Sequence, residues 1–377
     1  MRVLVAPDKL KGCLTAREAA EAITGVRLAL PEAFLRLLPV ADGGDGTVEA
    51  LLAAGAQAVS LAVDPYEVTV AFLPGPPRTA VAEVAQVGGL RDRRPTPDEA
   101  RAASSFDAGR LLRAVLDLNP ERVVLGIGGT ASTDAGAGAL VALGARLLDA
   151  TGRSVRPGLE GLFELSAVDL SGLDGRLSAV DIVIAADVES PLTGASGAAA
   201  VFGPQKGLAP DDVDEADAAL ARLADLVADA GGLDIAALPG AGAGGGLAGG
   251  LGAALRRPPV RGTEVVFALI GLDQALADAD LVITAEGRLD EQSMRGKAPV
   301  ALARRARDLG VPCLAVAGSV AVEGSVLRQE GIVGTGALLD LEPDLGVALT
   351  EARSLLRRAT AELLEDAKGP AHEEPAP

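Results

Sequence analysis

Short apolar runs alternate with amphipathic stretches along most of this chain. In "RVLVAPDKLKG" the run Val3 to Ala6 reads as a buried strand and passes directly into Pro7, Asp8, Lys9, Leu10, Lys11 and Gly12. The next stretch, "LTAREAAEAITGVRLAL", carries its apolar residues at helical spacing. Thr15 and Glu18 form a T-x-x-E capping box, which puts the helix start near Thr15. The same order of strand, loop and helix recurs in "FLRLLPVADGGDG" before "TVEALLAAG", and in "ADLVITAEGRLDEQSMRGK" before "APVALARRARDLG". "PCLAVAGS" and "IVGTGALL" supply further buried strands. Apolar strands alternating with helices predict an α/β fold with a parallel sheet covered on both faces. In such sheets ligands bind beyond the carboxyl ends of the strands, where these charged loops fall.

Residues from about 75 to 265 have a different texture. They hold the strand candidates "TAVAEVAQVGGL" and "VDIVIAADVESPLTG", and a buried strand with a Gly-rich loop, "RVVLGIGGTASTDAGAG". An acidic helix from about Asp211 to Ala230 and a Gly tract at 240–252 follow. The expectation is a discontinuous first domain, 1–73 plus 268–365, with an inserted α/β domain at 74–267 and the site in the cleft between them. Residues 366–377 read as a disordered tail.

Charge narrows the partners. Asp and Glu outnumber Lys and Arg by 52 to 34, a net charge of -18, which argues against nucleic acid or an anionic membrane as partner. Cys13 and Cys313 form no disulfide framework or zinc motif, and with no signal peptide or membrane span in view a cytoplasmic protein is expected. The single histidine, His372, lies in the tail. A general base must therefore be Asp, Glu or Lys, and Ser-His-Asp or Cys-His catalysis is excluded.

Two glycine patterns suggest a dinucleotide site, and both fall short. Gly240, Gly242 and Gly245 spell GxGxxG, but Pro239 stands where a strand should end. Gly126, Gly128 and Ala131 follow a strand, yet Thr133, Asp134, Gly136 and Gly138 crowd the place of a clean helix start. Gly296 and Lys297 lack the upstream Gly of a P-loop.

Five charged loops remain: "APDKLKG" with Asp8 and Lys11; "ADGGDGT" with Asp42, Asp45 and Thr47; "GIGGTASTDAG" with Asp134; "ADVESPLTG" with Asp187 and Glu189; and "EGRLDEQSMRGK" with Glu286, Arg288, Asp290 and Lys297. Singly, each reads as a solvated turn. Four of the five, however, follow an apolar strand ending in an acidic residue or Gly. Carboxylates, a few lysines and Gly-rich backbone suit phosphoryl transfer, which needs Mg²⁺ on one or two carboxylates, donors on the phosphates and an oriented hydroxyl. Lys206 in "FGPQKG" is a further phosphate or carboxylate candidate, or else an exposed turn lysine.

Together these loops resemble the bacterial type I glycerate kinases. "APDKLKGCL", "PVADGGDGT", "GIGGTASTDAG", "ADVESPLTGASGAAAVFGPQKGL", "PGAGAGGGLAGGL" and "ITAEGRLDEQSMRGKAP" match that family's motifs in order over about residues 1–365. Asp45 stands where the family usually has Glu, and Lys9 and Leu10 replace its Ser and Phe. The resemblance implies a Rossmann-like domain plus an inserted α/β domain, and ATP-dependent phosphorylation of D-glycerate at the 2-hydroxyl. On this reading Asp187, then Asp8, orients the hydroxyl. Asp42, Asp45 and Asp290 take Mg²⁺, and Lys11, Lys206 and Lys297 meet phosphate or carboxylate. Gly43, Gly44, Thr47, Gly128, Gly129, Asp134 and Glu286 complete the ligand-binding set. Phosphorylation at the 3-hydroxyl, a nicotinamide-dependent hydroxy-acid oxidoreductase and a non-enzymatic acid-binding protein are the alternatives; a homo-oligomer is left open.

Overall fold

Val3, Leu4 and Val5 are all buried in a computed structural model of the chain, which describes residues 1–90 and 95–367. Successive residues of a strand face opposite sides, so this unbroken apolar run can only serve a sheet covered on both faces. Arg2–Val5 is strand β1, Phe34–Leu37 β2, Gln57–Val63 β3, Tyr66–Leu73 β4, Thr79–Glu83 β5 and Arg122–Gly126 β6. Arg146–Asp149 is β7, Leu165–Asp169 β8, Asp181–Ala185 β9, Leu281–Leu289 β10, Cys313–Val320 β11 and Ile332–Ala337 β12. One five-stranded sheet has the order β12-β11-β10-β1-β2, another β3-β4-β5-β6-β9, and β7 with β8 makes a two-stranded ribbon.

The chain divides into two compact units, Met1–Asp42 with Glu49–Gly55 and Val266–Pro377, and Gly43–Val48 with Ala56–Val265. In the first unit every strand pair is parallel. Val3, Val5, Ile283, Leu314 and Val316 pack into one apolar cluster with Ile23 and Leu356, from the helices Ala16–Ile23 and Ala352–Ala367. Leu4, Val282 and Ala315 are equally buried and alternate onto the other face. The predicted capping box is present: Thr15 Oγ1 accepts from Glu18 N–H, and Glu18 accepts from Thr15 N–H at 3.0 Å.

The second unit is mixed. β3, β4 and β5 pair antiparallel, while β5, β6 and β9 pair parallel. Here the expected domain limit at residue 73 needs correction, because residues 57–73 form β3 and β4 of this second sheet. "QAVSLAVDPYEVTVAFL" alternates apolar and polar residues, which suits a half-buried hairpin and not a strand buried on both faces. The chain returns to the first unit at Val266. Of the expected tail, residues 366 and 367 close the last helix, and 368–377, with His372, lie outside the described residues.

Glycines let backbone meet backbone in the second unit. In the helix Leu247–Leu255, a Cβ on Gly250 would stand 1.7 Å from the carbonyl oxygen of Ala135. Gly→Ala inside a helix ordinarily stabilises by about 1 kcal/mol. Gly250→Ala is expected to do the reverse, lowering the thermal midpoint measured by circular dichroism, because neither backbone can retreat.

Candidate functional site

Taken in chain order, the five strands of the first unit lie in the spatial order 2-1-3-4-5, the flavodoxin-type doubly wound arrangement. The order reverses between β1 and β10, and such sheets bind ligands outside the carboxyl ends of the strands at that switch point. Both neighbouring strand ends carry carboxylates. β1 runs on through Ala6 N–H to Ile283 O and Asp8 N–H to Ala285 O, which carries Asp8 to its buried position at the end of the strand. Glu286 lies on β10 and is also buried. Gly287 makes room for the first loop: a Cβ there would come within 3.2 Å of Lys11 N.

Electrostatics marks the same place. Burial pushes the Asp8 carboxyl well above the usual carboxylate range, and the charges of Asp42 and Glu286 push it further; the Lys9 N–H, 2.7 Å from Oδ1, works the other way. Glu286 is raised too, by burial first, although Lys297 Nζ donates to its Oε1 at 2.9 Å and Ser293 Oγ to its Oε2 at 2.9 Å. At Lys297 burial pulls the ammonium down, but Glu286, Asp290 and Asp42 together outweigh it and the group is raised. Asp290 organises its own loop, accepting from Gln292 N–H at 2.9 Å with Arg288 beside it. Lys11 is exposed. Asp8, Asp42, Glu286, Asp290, Lys11 and Lys297 thus all belong to this unit.

In the second unit, β5, β6 and β9 end in register, with Glu83 beside Gly126 and Gly126 beside Ala185. The loops that leave these ends pack on the segment 43–48. A Cβ on Gly126 would lie 2.4 Å from Gly43 O, one on Gly128 2.6 Å from Gly44 Cα, and one on Gly43 2.6 Å from Gly262 Cα. These glycines are therefore needed first for the mutual approach of loops. Thr47 Oγ1 donates to Gly44 O at 2.8 Å, closing its own turn, while Asp45 and Gly129 are exposed. Asp187 accepts from Thr263 N–H at 3.1 Å and from Thr263 Oγ1 at 3.3 Å, and Glu189 pairs with Arg261 at 2.5 Å at the surface.

Two expected ligand residues turn inward. Asp134 is fully buried and accepts four hydrogen bonds, from Ser105 N–H at 2.8 Å, Ser105 Oγ at 2.9 Å, Gly136 N–H at 3.1 Å and Gly138 N–H at 3.2 Å. Its carboxylate joins the starts of the helices Phe106–Leu116 and Ala137–Ala142. Lys206 is also buried and donates to Thr130 Oγ1 at 3.0 Å and Ser132 O at 2.6 Å. The sequence placed these two among ligand contacts; in the structure both hold internal partners, and two of the three ammonium donors of Lys206 are used there. The dinucleotide pattern at 126–131 also loses its basis. No helix opens at Ala131; the next begins at Ala137.

Sequence reading missed Glu83, Ser293 and Thr263. Glu83, buried at the end of β5, accepts from Val48 N–H at 2.6 Å and so holds the 43–48 loop. It had the same signal as its neighbours, an acid closing an apolar strand, but apolar Val84 and not Gly follows it. Among the described residues no three His, Cys, Asp or Glu side chains gather into a group able to hold a metal ion. The hard oxygen donors around Asp8 nevertheless fit Mg²⁺, which keeps most of its waters and takes one or two carboxylates. A divalent cation held there would relieve their mutual repulsion. No helix among the described residues is long and apolar enough to cross a membrane.

Known proteins resemble the chain over its whole length. It is 39% identical over 374 residues to the glycerate kinase of Bacillus subtilis (strain 168), covering 98% of each chain. Against the glycerate 2-kinase of Escherichia coli (strain K12) it is 37% identical over 366 residues, covering 96% of each. A crystal structure of a provisionally named glycerate kinase 2 from Salmonella typhimurium LT2 superposes with a TM-score of 0.78 at 39% identity, over 98% of this chain and 99% of that one. The glycerate kinase family model matches residues 3–368, and the chain belongs to that family.

Proposed function

We propose that the protein transfers the γ-phosphoryl group of ATP to the 2-hydroxyl of D-glycerate, giving 2-phosphoglycerate and ADP. The observation that carries this reading is the match of nearly the whole chain to the glycerate kinase family, with a relative at 37% identity named for position 2. The side-chain chemistry supports it. Phosphoryl transfer asks the protein for position and charge more than for covalent chemistry, and these loops offer carboxylates, lysines and backbone amides. A hydroxyl oxygen attacks the γ-phosphorus, the bond to the ADP oxygen breaks, and the hydroxyl proton passes to a carboxylate. We assign that carboxylate to Asp187, which the N–H and hydroxyl of Thr263 hold in one orientation. Asp42 and Asp290, both in the first unit, are assigned to Mg²⁺. A divalent ion held there would supply positive charge against the charge that develops on the transferring phosphoryl group. Lys297, steadied by Glu286, and the exposed Lys11 supply positive charge for phosphate or carboxylate.

Phosphorus NMR of the protein with D-glycerate and MgATP should show ADP and 2-phosphoglycerate growing together. A 3-phosphoglycerate resonance would move the attack to the other hydroxyl, and no product at all would overturn the kinase reading. Asp187→Asn should lower kcat by about 10²–10⁴-fold with little change in melting temperature; near-normal turnover would remove Asp187 as the proton acceptor.

Asp8 gives a prediction with two signs. A carboxyl raised in the fold holds its proton more tightly than in the unfolded chain. It therefore favours folding at low pH, and that contribution is lost as pH rises through the raised value. Near neutrality Asp8 costs stability while Asp42 and Glu286 face it, with Lys9 only partly offsetting them. Asp8→Asn should raise the melting temperature at pH 7. The gain should shrink toward pH 4, where the native carboxyl is protonated. Equal gains at both pH values would contradict this origin.

A further inference from the structure

Lys206 is a buried cation in a protein of net charge -18, yet both its hydrogen bonds go to other parts of its own unit. We infer that Lys206 is a positioning residue, which clamps the loop 128–134 through Thr130 and Ser132 so that the Gly128 and Gly129 amides stay fixed for an anionic substrate. The inference rests on the proposed kinase reading for the nature of that substrate, though not for the clamp itself.

Three segments hold the loop. On one side Leu90 N–H donates to Gly129 O at 2.8 Å, and Ala131 N–H to Gly88 O at 2.8 Å. On another Ala135 N–H donates to Gly245 O at 3.1 Å. To the Ala131 tie Lys206 adds two side-chain bonds, to Thr130 and Ser132, reaching them from the turn Pro204–Lys206. Gly245 is shaped to admit it: a Cβ there would lie 2.8 Å from the Lys206 Nζ and 2.0 Å from Ser132 O. Thr130 and Ser132 are buried, whereas Gly128 is half-buried and Gly129 exposed. The half of the loop that Lys206 holds is thus buried, and the more open half carries Gly128 and Gly129, whose amides are those assigned to the substrate. Burial pushes the Lys206 ammonium down to about 7, and the Asp134 charge acts in the other direction. Above that pH the amine keeps two N–H groups and loses its charge, so each charge-assisted bond weakens. The clamp therefore loosens as pH rises through neutrality.

The test uses the full-length protein with Lys206→Met, Thr130→Val and the double variant. In the absence of any substrate, amides of 128–134 should exchange hydrogen faster in Lys206→Met than in the wild type. Unchanged exchange would overturn the inference even if the protein phosphorylates something other than glycerate. In turnover, each single variant should raise KM about tenfold, the equivalent of one lost interaction. The double variant should be no worse than the weaker single, because both remove one clamp. The wild type should show a rise in KM between pH 6 and 8, and Lys206→Met should erase it. Losses that multiply, or a pH profile that survives the substitution, would instead make Lys206 a direct ligand or an inert strut. If Lys206→Met does not fold, exchange in Thr130→Val, which loses only a hydroxyl, decides the matter alone. Wild-type turnover without glycerate dependence would fault the kinase reading and leave the exchange result standing.

Discussion

One buried anion organises the working edge of the second unit. The Asp134 carboxylate has no exposure to water, so the fold must replace its whole hydration shell, and four donors do so. They come from the first turns of two helices, where unpaired N–H groups and the helix dipole both favour negative charge. Ser105 joins the network twice, since its hydroxyl donates to Asp134 and accepts from Ala139 N–H at 3.0 Å. The helices can then approach until Gly109 lies against Ala139, where a Cβ would meet a carbonyl oxygen at 2.4 Å. That packing fixes where the chain leaves β6, and with it the loop carrying Gly128 and Gly129.

The first unit handles charge in the opposite way. Around Asp8 the carboxylates are buried close together, and burial and mutual repulsion both make the charged forms costly. Lys297 relieves Glu286 but leaves Asp8 raised. Perturbed carboxyls at a topological switch point mark a candidate functional site, and they carry a cost in stability. One unit satisfies its anion completely, and the other leaves its anions in tension.

Much of this was legible in the residues. The parallel sheet followed from unbroken apolar runs, and the helix start at Thr15 from a capping box that the structure shows bond for bond. Strand-end carboxylates were visible because periodicity located the strands. What escaped was whether a given polar residue faces outward or inward. Asp134 sits in a Gly-rich loop much as Asp42 does, and only the positions of Ser105 and Gly138, fixed by tertiary packing, make it internal. The hairpin at 57–73 escaped for a different reason. Its alternation was readable, but which sheet it joins depends on the strand that follows.

The switch point also sets a timetable for synthesis. Thr284 Oγ1 bonds Ala6 O across 278 residues of chain, and between β1 and β10 the whole 56–265 segment of the other unit is made. At roughly 5–20 residues per second, the first strand waits for on the order of tens of seconds on the ribosome before its inner neighbour exists. During that interval β1 can pair only with β2, whose Phe34 is three-quarters exposed even in the finished fold. The carboxylates of Asp8 and Glu286 therefore meet only once nearly the last quarter of the chain is under way.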